Sequence, residues 1–297
     1  MIEDTERERR MRYLAVIRTI PLLNDFIKTC EEQPNIDSYH LQCEKLCVPF
    51  IESFPTITSE FLHYELLNQG LFNPDEWKLI SKWVKEMETR NIWHIVDREY
   101  QFLRRIWNGP SVSIFVLPIK RVDVKRGQQK TNRNGVAFRG NIFLFLSADL
   151  TIGELKALIA HEYNHVCRLN FLGLAPDEIP LKDSLIIEGL GEYAVKSLYG
   201  DSWLAPWTNL YSFQDTIRIW KRHFLPSLNL LGTGNHHIYL FGKSTSPLSI
   251  WIGYQLGFQI VTTFDNNHGP FNMQELYSKS SDEIISGSDF SFPPKGQ

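Results

Sequence analysis

Along the first hundred residues, apolar side chains return every third or fourth position, as in "EWKLISKWVKEM" (76–87), which is the period of an amphipathic helix. That helix opens with Asn73 as its cap and Pro74 at its first position, where a missing N–H costs nothing. The pattern predicts an almost wholly helical region over residues 1–107, ended by the Asn-Gly-Pro break at 108–110. "SVSIFVLPI" (111–119) is β-branched and aromatic, and reads as a strand. The basic, polar run from Lys120 to Arg133 reads as a loop or ragged hairpin. "VAFRGNIFLFLS" (136–147) supplies one or two further strands, with a kink at Gly140. From Thr151 onward helical spacing resumes, with Pro- and Gly-rich connections. Helix, then sheet, then helix predicts an α+β fold rather than a parallel doubly wound one. The division expected is a helical N-terminal region, 1–107, and a second domain, 108–297.

Composition narrows the function classes. The chain has 297 residues, 43% of them hydrophobic, and a mean hydropathy of -0.23, as an ordinary globular protein does. A net charge of -3 offers no general attraction for nucleic acid or an anionic membrane, so neither is expected as a partner. The longest apolar runs are too short to span a bilayer, and the charged start "MIEDTERERRMRY" has no signal-peptide character. Four cysteines in a chain this long make no disulfide framework. A cytoplasmic location is the expectation.

The chemistry is concentrated in "TIGELKALIAHEYNHVCRLN" (151–170). Thr151 and Glu154 form a capping box, so the segment that follows is a helix. His161 and His165 then fall one turn apart on one face, and two imidazoles can converge on one ion. Glu162 flanks that position without having to ligate it. This is the H-E-x-x-H arrangement, in which two histidines bind zinc and the glutamate takes a proton from water. A catalytic zinc takes a third protein ligand from another element and leaves a position open.

"DSLIIEGLGEYAVKSLYG" (183–200) offers Glu188 and Glu192, four apart on a second helix that begins at Asp183 or Ser184 and stops at Gly200. Behind "SLII", a carboxylate at 188 is costly unless a cation meets it, and Gly189 would let the two helices approach closely. The alternative is a pair of exposed glutamates on a solvated face. Glu192, one turn further on, is expected to accept a hydrogen bond from a ligating imidazole or to pair with Arg168, which follows His165 by three residues.

"HEYNHVCR" followed by "EGLGEY" resembles the gluzincin pattern of zinc peptidases. More closely, the chain resembles the YjaZ-like family of predicted zinc-dependent proteases, through "GVAFRGNIFLFLS" before the motif and "YLFG…IWIGYQLGFQIV" after it. The likeness runs over roughly residues 110 to 290. It implies a zincin-like metallopeptidase domain holding one zinc ion per chain, with His161, His165 and Glu188 as ligands and Glu162 as base. It implies no particular substrate. Gly191 departs from the pattern, standing where alanine is common.

Other residues compete for supporting roles. Tyr254, on a predicted helix between Gly253 and Gly257, is the first candidate to stabilise an oxyanion; His236, His237 and Tyr239 are its rivals. The segment 136–147 is either a cleft-edge strand that binds an extended peptide or a plain interior strand. His40, Cys43 and Cys47 share a helical face and read as a buried stripe rather than a second metal site, while Cys167 points away from the first. The leading expectation is therefore a zinc-dependent peptidase acting on a peptide or protein. Its alternatives are a catalytically inactive zincin-fold regulatory or peptide-binding protein, and a helical interaction protein with an accidental motif.

Overall fold

A computed structural model describes residues 15–121, 132–243 and 248–291. Most of the basic run and the charged N-terminus lie outside the described residues. The architecture is α+β, mostly helical with a small four-stranded sheet, consistent with a helix-rich zincin-like domain. The chain forms two compact units, one from residues 1–102 and 111–159, the other from 103–110 and 160–297. Compactness groups the strands with the preceding helices.

The first unit carries the helices α1 (Ile20–Glu32), α2 (Ser38–Leu46), α3 (Ser59–Gln69) and α4 (Trp77–Thr89), and most of α5 (Ile92–Trp107). The Asn73 capping box forms as expected, with Asn73 N–H donating to Glu76 at 3.2 Å and a single 3-10 turn leading into α4. Its sheet runs in the order β1 (Val16–Ile17), β2 (Ser113–Pro118), β4 (Asn141–Leu146), β3 (Arg133–Phe138). β1, β2 and β4 are parallel, and β3 is antiparallel to β4 at the edge. The helical period of the N-terminal region conceals β1, because two residues are too few for any alternation to register.

Gly140 does not kink a strand: at φ +86° it sits in the turn that makes 133–146 a hairpin, a conformation glycine adopts without a Cβ penalty. The segment 136–147 thus supplies both kinds of strand, an edge strand in β3 and an interior one in β4. β2 and β4 are buried on both faces, which is why they read as continuous apolar runs. On one face Phe115 stacks on Phe143 at 4.6 Å and packs into a core with Phe50, Phe72, Leu62 and Cys47. Cys43 and Cys47 are buried there as free thiols while His40 is exposed, so the buried stripe comprises the two cysteines and not the histidine.

The second unit holds most of α6 (Ile152–Leu172), then α7 (Leu181–Tyr199), α8 (Phe213–Ile219), α9 (Thr233–Phe241), α10 (Ile252–His268), α11 (Glu275–Ser278) and α12 (Ser281–Gly287). α7 is buried around nearly its whole circumference, so it shows little amphipathicity in sequence. It begins two residues earlier than its sequence suggests, after Pro180, and ends at Gly200, whose φ of +88° suits glycine. Gly189 does not bring α7 to α6: a Cβ there would collide with the Gly257 carbonyl of α10, and one on Gly257 would collide with Leu185 O. The two glycines instead let α7 and α10 cross with their backbones in contact. No helix among the described residues is long and apolar enough to cross a membrane.

Candidate metal centre

The capping box is present at the start of α6, Thr151 N–H donating to Glu154 at 2.9 Å and Glu154 N–H to Thr151 Oγ1 at 3.2 Å. The helix it launches sets the rings of His161 and His165 4.3 Å apart, one turn from each other. From α7, Glu188 reaches the same spot. Its Oε2 lies 3.4 Å from His161 Nε2 and 3.6 Å from His165 Nε2. Among the described residues these three form the group able to hold a metal ion, their donor atoms all within 4.8 Å of one another. The helices come this close because of Gly191, where a Cβ would stand 2.8 Å from His165 Nε2 and 3.2 Å from His161 Nδ1.

His165 Nε2 is buried and has no hydrogen-bond partner, and a buried polar nitrogen costs free energy unless something accepts its lone pair. Burial, and then the charge on His161, hold its pKa well below the usual 6.5, so the ring is neutral and its lone pair available. His161 is the opposite case. Burial opposes its protonation, but hydrogen bonds to Glu188 and Glu192 and the charges of Glu192 and Glu162 outweigh it and hold the pKa well above 6.5. The carboxylates around this ring favour positive charge at the site, which a divalent cation also supplies. Two imidazole nitrogens and one carboxylate oxygen are a donor set that suits zinc. The residues fit the ion.

The remaining expected residues divide. Glu192 is buried and accepts from His161 Nδ1 at 3.1 Å, which fixes the tautomer that aims Nε2 toward Glu188. Its other oxygen accepts from Ala205 N–H. Neither glutamate lies on a solvated face, for their side chains are 15% and 4% exposed. Glu162 is buried beside them; burial foremost, and then the charge of Glu188, raise its pKa to about 7 against the opposing charge of His161. Tyr254 hydrogen-bonds Glu188; burial, and then the charges of Glu188 and Glu162, keep its phenol protonated well above its usual range.

Arg168 is a correction. It does not pair with Glu192 but is fully buried against Asp183 at 3.2 Å and Ser281 at 2.8 Å, and donates to the carbonyls of Tyr277 and Lys279. It fastens α6 to α7 and to the C-terminal segment. Arg168 keeps nearly the same side of the helix as the histidines but lies further along the axis, about 10 Å from His161 by the helical rise, and there it meets that segment. The rivals of Tyr254 are engaged elsewhere: His236 bonds Ser184 and Leu230 O at 2.8 Å, Tyr239 bonds Ser227, and His237 packs on Phe241. Cys167 is buried near Tyr163 and Gly109, away from the histidines.

A family model described as Predicted Zn-dependent protease (DUF2268) matches residues 92–286, well over half of the chain. The chain belongs to this predicted Zn-dependent protease family. It is 33% identical to the uncharacterized protein YjaZ of Bacillus subtilis (strain 168) over 184 residues, 61% of this chain and 69% of that one. It is also 27% identical to the uncharacterized protein YjfC of the same strain over 123 residues, 39% of this chain and 41% of that one. No solved structure matches. The match spans both compact units.

One neighbour of the centre escapes a motif search. Trp207, in a segment without regular secondary-structure period, places its ring 6.4 Å from that of His161 and 5.2 Å from that of Tyr254. Its only signal in sequence is the uncharged, aromatic composition of "APWTNLYS" (205–212).

Proposed function

We propose that the protein is a zinc-dependent peptidase of the H-E-x-x-H…E type, with His161, His165 and Glu188 as ligands and Glu162 as general base. The observation that carries this reading is the partnerless, buried Nε2 of His165 beside His161 Nε2 and Glu188 Oε2. When bound there, zinc would lower the pKa of a coordinated water to about 7 and polarise a carbonyl oxygen.

The chain's own groups do the rest. Glu162, buried beside the ligands, can take a proton from water and return it to the leaving amine. Glu192 holds His161 in the ligating tautomer. Tyr254, kept protonated, can turn its hydroxyl from Glu188 to an oxygen that gains negative charge. A non-catalytic, peptide-binding zincin would leave Glu162, buried at some electrostatic cost, with no task.

The test is zinc content together with peptide hydrolysis. Purified protein should hold about one zinc per chain. Glu162→Gln should keep the metal and lose hydrolysis by a factor of at least ~100. Full zinc retention by His161→Ala, or equal activity in the Glu162→Gln form, would sink the assignment.

A further inference from the structure

Beside the proposed metal site lies an aromatic surface of which the proposed chemistry uses only the Tyr254 hydroxyl. It starts at Trp207, edge-on to His161. It continues through Tyr254 to Phe241 at 5.2 Å and Trp251 at 5.0 Å. Its outer rim is open, with Trp251 36% exposed and Leu210 and Ile250 each 47% exposed. Two of the segments that build it, 205–212 and 248–263, contain no Asp, Glu, Lys or Arg; Phe241 comes from a third, the helix Thr233–Phe241.

The surface is built rather than incidental. Gln255, fully buried, accepts from Leu210 N–H at 2.9 Å and Tyr211 N–H at 3.0 Å, and donates to Tyr211 O at 2.8 Å. Tyr211 OH donates to Ile250 O at 2.7 Å, tying the two segments together. At the other end Ala205 N–H rests on Glu192, the carboxylate that also orients His161. Trp251 is held at φ +62°, a left-handed conformation that a bulky residue adopts only when its surroundings impose it. Fixing aromatic rings in advance removes the entropic cost of ordering them when a ligand arrives.

We infer that Trp207, Tyr254 and Trp251 form the wall of a subsite that takes a large apolar or aromatic side chain next to the scissile bond of a peptide. This rests on the peptidase reading and adds its substrate class. An apolar side chain gains by leaving water for this wall. A carboxylate or ammonium would lose its hydration with no counter-charge on either segment, and a carboxylate would also meet Glu188 and Glu162 beside Tyr254. A basic side chain recovers part of that loss over the aromatic faces, so it is the competing occupant that the experiment must separate.

Two measurements decide it. In a peptide-library digest, cleavage should cluster beside Phe, Tyr, Trp or Leu, with about tenfold or greater preference over Ala. Trp207→Ala should abolish most of that preference, and Trp207→Phe should keep it. Independently of turnover, calorimetry on the zinc-loaded Glu162→Gln protein should rank a benzyl-bearing hydroxamate about tenfold or more above aminobutyl- and carboxyethyl-bearing ones. Trp207→Ala should level that ranking. A flat ranking, a basic preference, or a ranking untouched by Trp207→Ala overturns the wall. Zinc uptake without any cleavage overturns the peptidase reading, and the hydroxamate ranking still decides the wall. Failure to take up zinc overturns both.

Discussion

Glu192 Oε2 lies 3.1 Å from His161 Nδ1, and Glu192 is nearly as buried as the core leucines around it. A carboxylate so placed accepts from Nδ1 and so directs Nε2, the other ring nitrogen, toward Glu188. Replacing it with Gln keeps the shape and removes the charge. Glu192→Gln should therefore weaken zinc binding about 10–100-fold, measured by competition with a chelator. Unchanged affinity would mean that the imidazole is oriented by packing alone.

Arg168 and Asp183 form a buried ion pair that joins α6 to α7. Truncating one member leaves the other's charge without a partner in the interior. Arg168→Ala should cost about 3–5 kcal/mol in urea unfolding. A double-mutant cycle with Asp183→Asn should show the two losses to be strongly non-additive. Additive losses would show that the carbonyls of Tyr277 and Lys279, not Asp183, are the partners that matter.

Gly257 permits the backbone contact between α10 and α7 that places Glu188. The atom an added methyl would strike is a helix carbonyl, which cannot rotate away. Gly257→Ala should destabilise the protein by about 1–3 kcal/mol and, by displacing α7, weaken zinc binding as well. Gly140→Ala tests the opposite case, since no atom lies within 4 Å of a Cβ there and only the positive φ resists it. It should lower stability without touching zinc affinity.

Glu154 anchors the start of α6. Burial pushes its carboxyl upward, but the hydrogen bonds from Asn132 and Thr151 and the charge of Arg133 outweigh it and hold the pKa below 4.5. A group with a depressed folded pKa contributes stability above its unfolded value, about 4.3, and loses it as pH falls through the folded one. The stability difference between wild type and Glu154→Gln should thus be constant above about pH 5.5 and shrink below about pH 4. A difference that does not change with pH would place the effect in shape rather than charge.

Much of the centre could be read from local spacing because helices obey a fixed repeat. Thr151 with Glu154 announces α6, and the four-residue interval between His161 and His165 puts both rings on one side whatever surrounds them. The same regularity put Glu188 and Glu192 one turn apart on one face, with Glu188 a costly carboxylate behind the apolar run Leu185–Ile187. The strand β1 left no such trace, since its two residues are ordered by pairing with β2, a partner almost a hundred residues away.

The sequence by itself determined the α+β order of elements and the helix that carries His161 and His165 on one face. Only the tertiary structure decided which small residue lets α6 and α7 meet, Gly191 rather than Gly189, and which partner Arg168 takes. It alone set Trp207 beside His161. The reason is the range of the forces involved. Helical periodicity is fixed by bonds between residues four apart, whereas a helix crossing or a buried ion pair depends on where distant backbones come into contact.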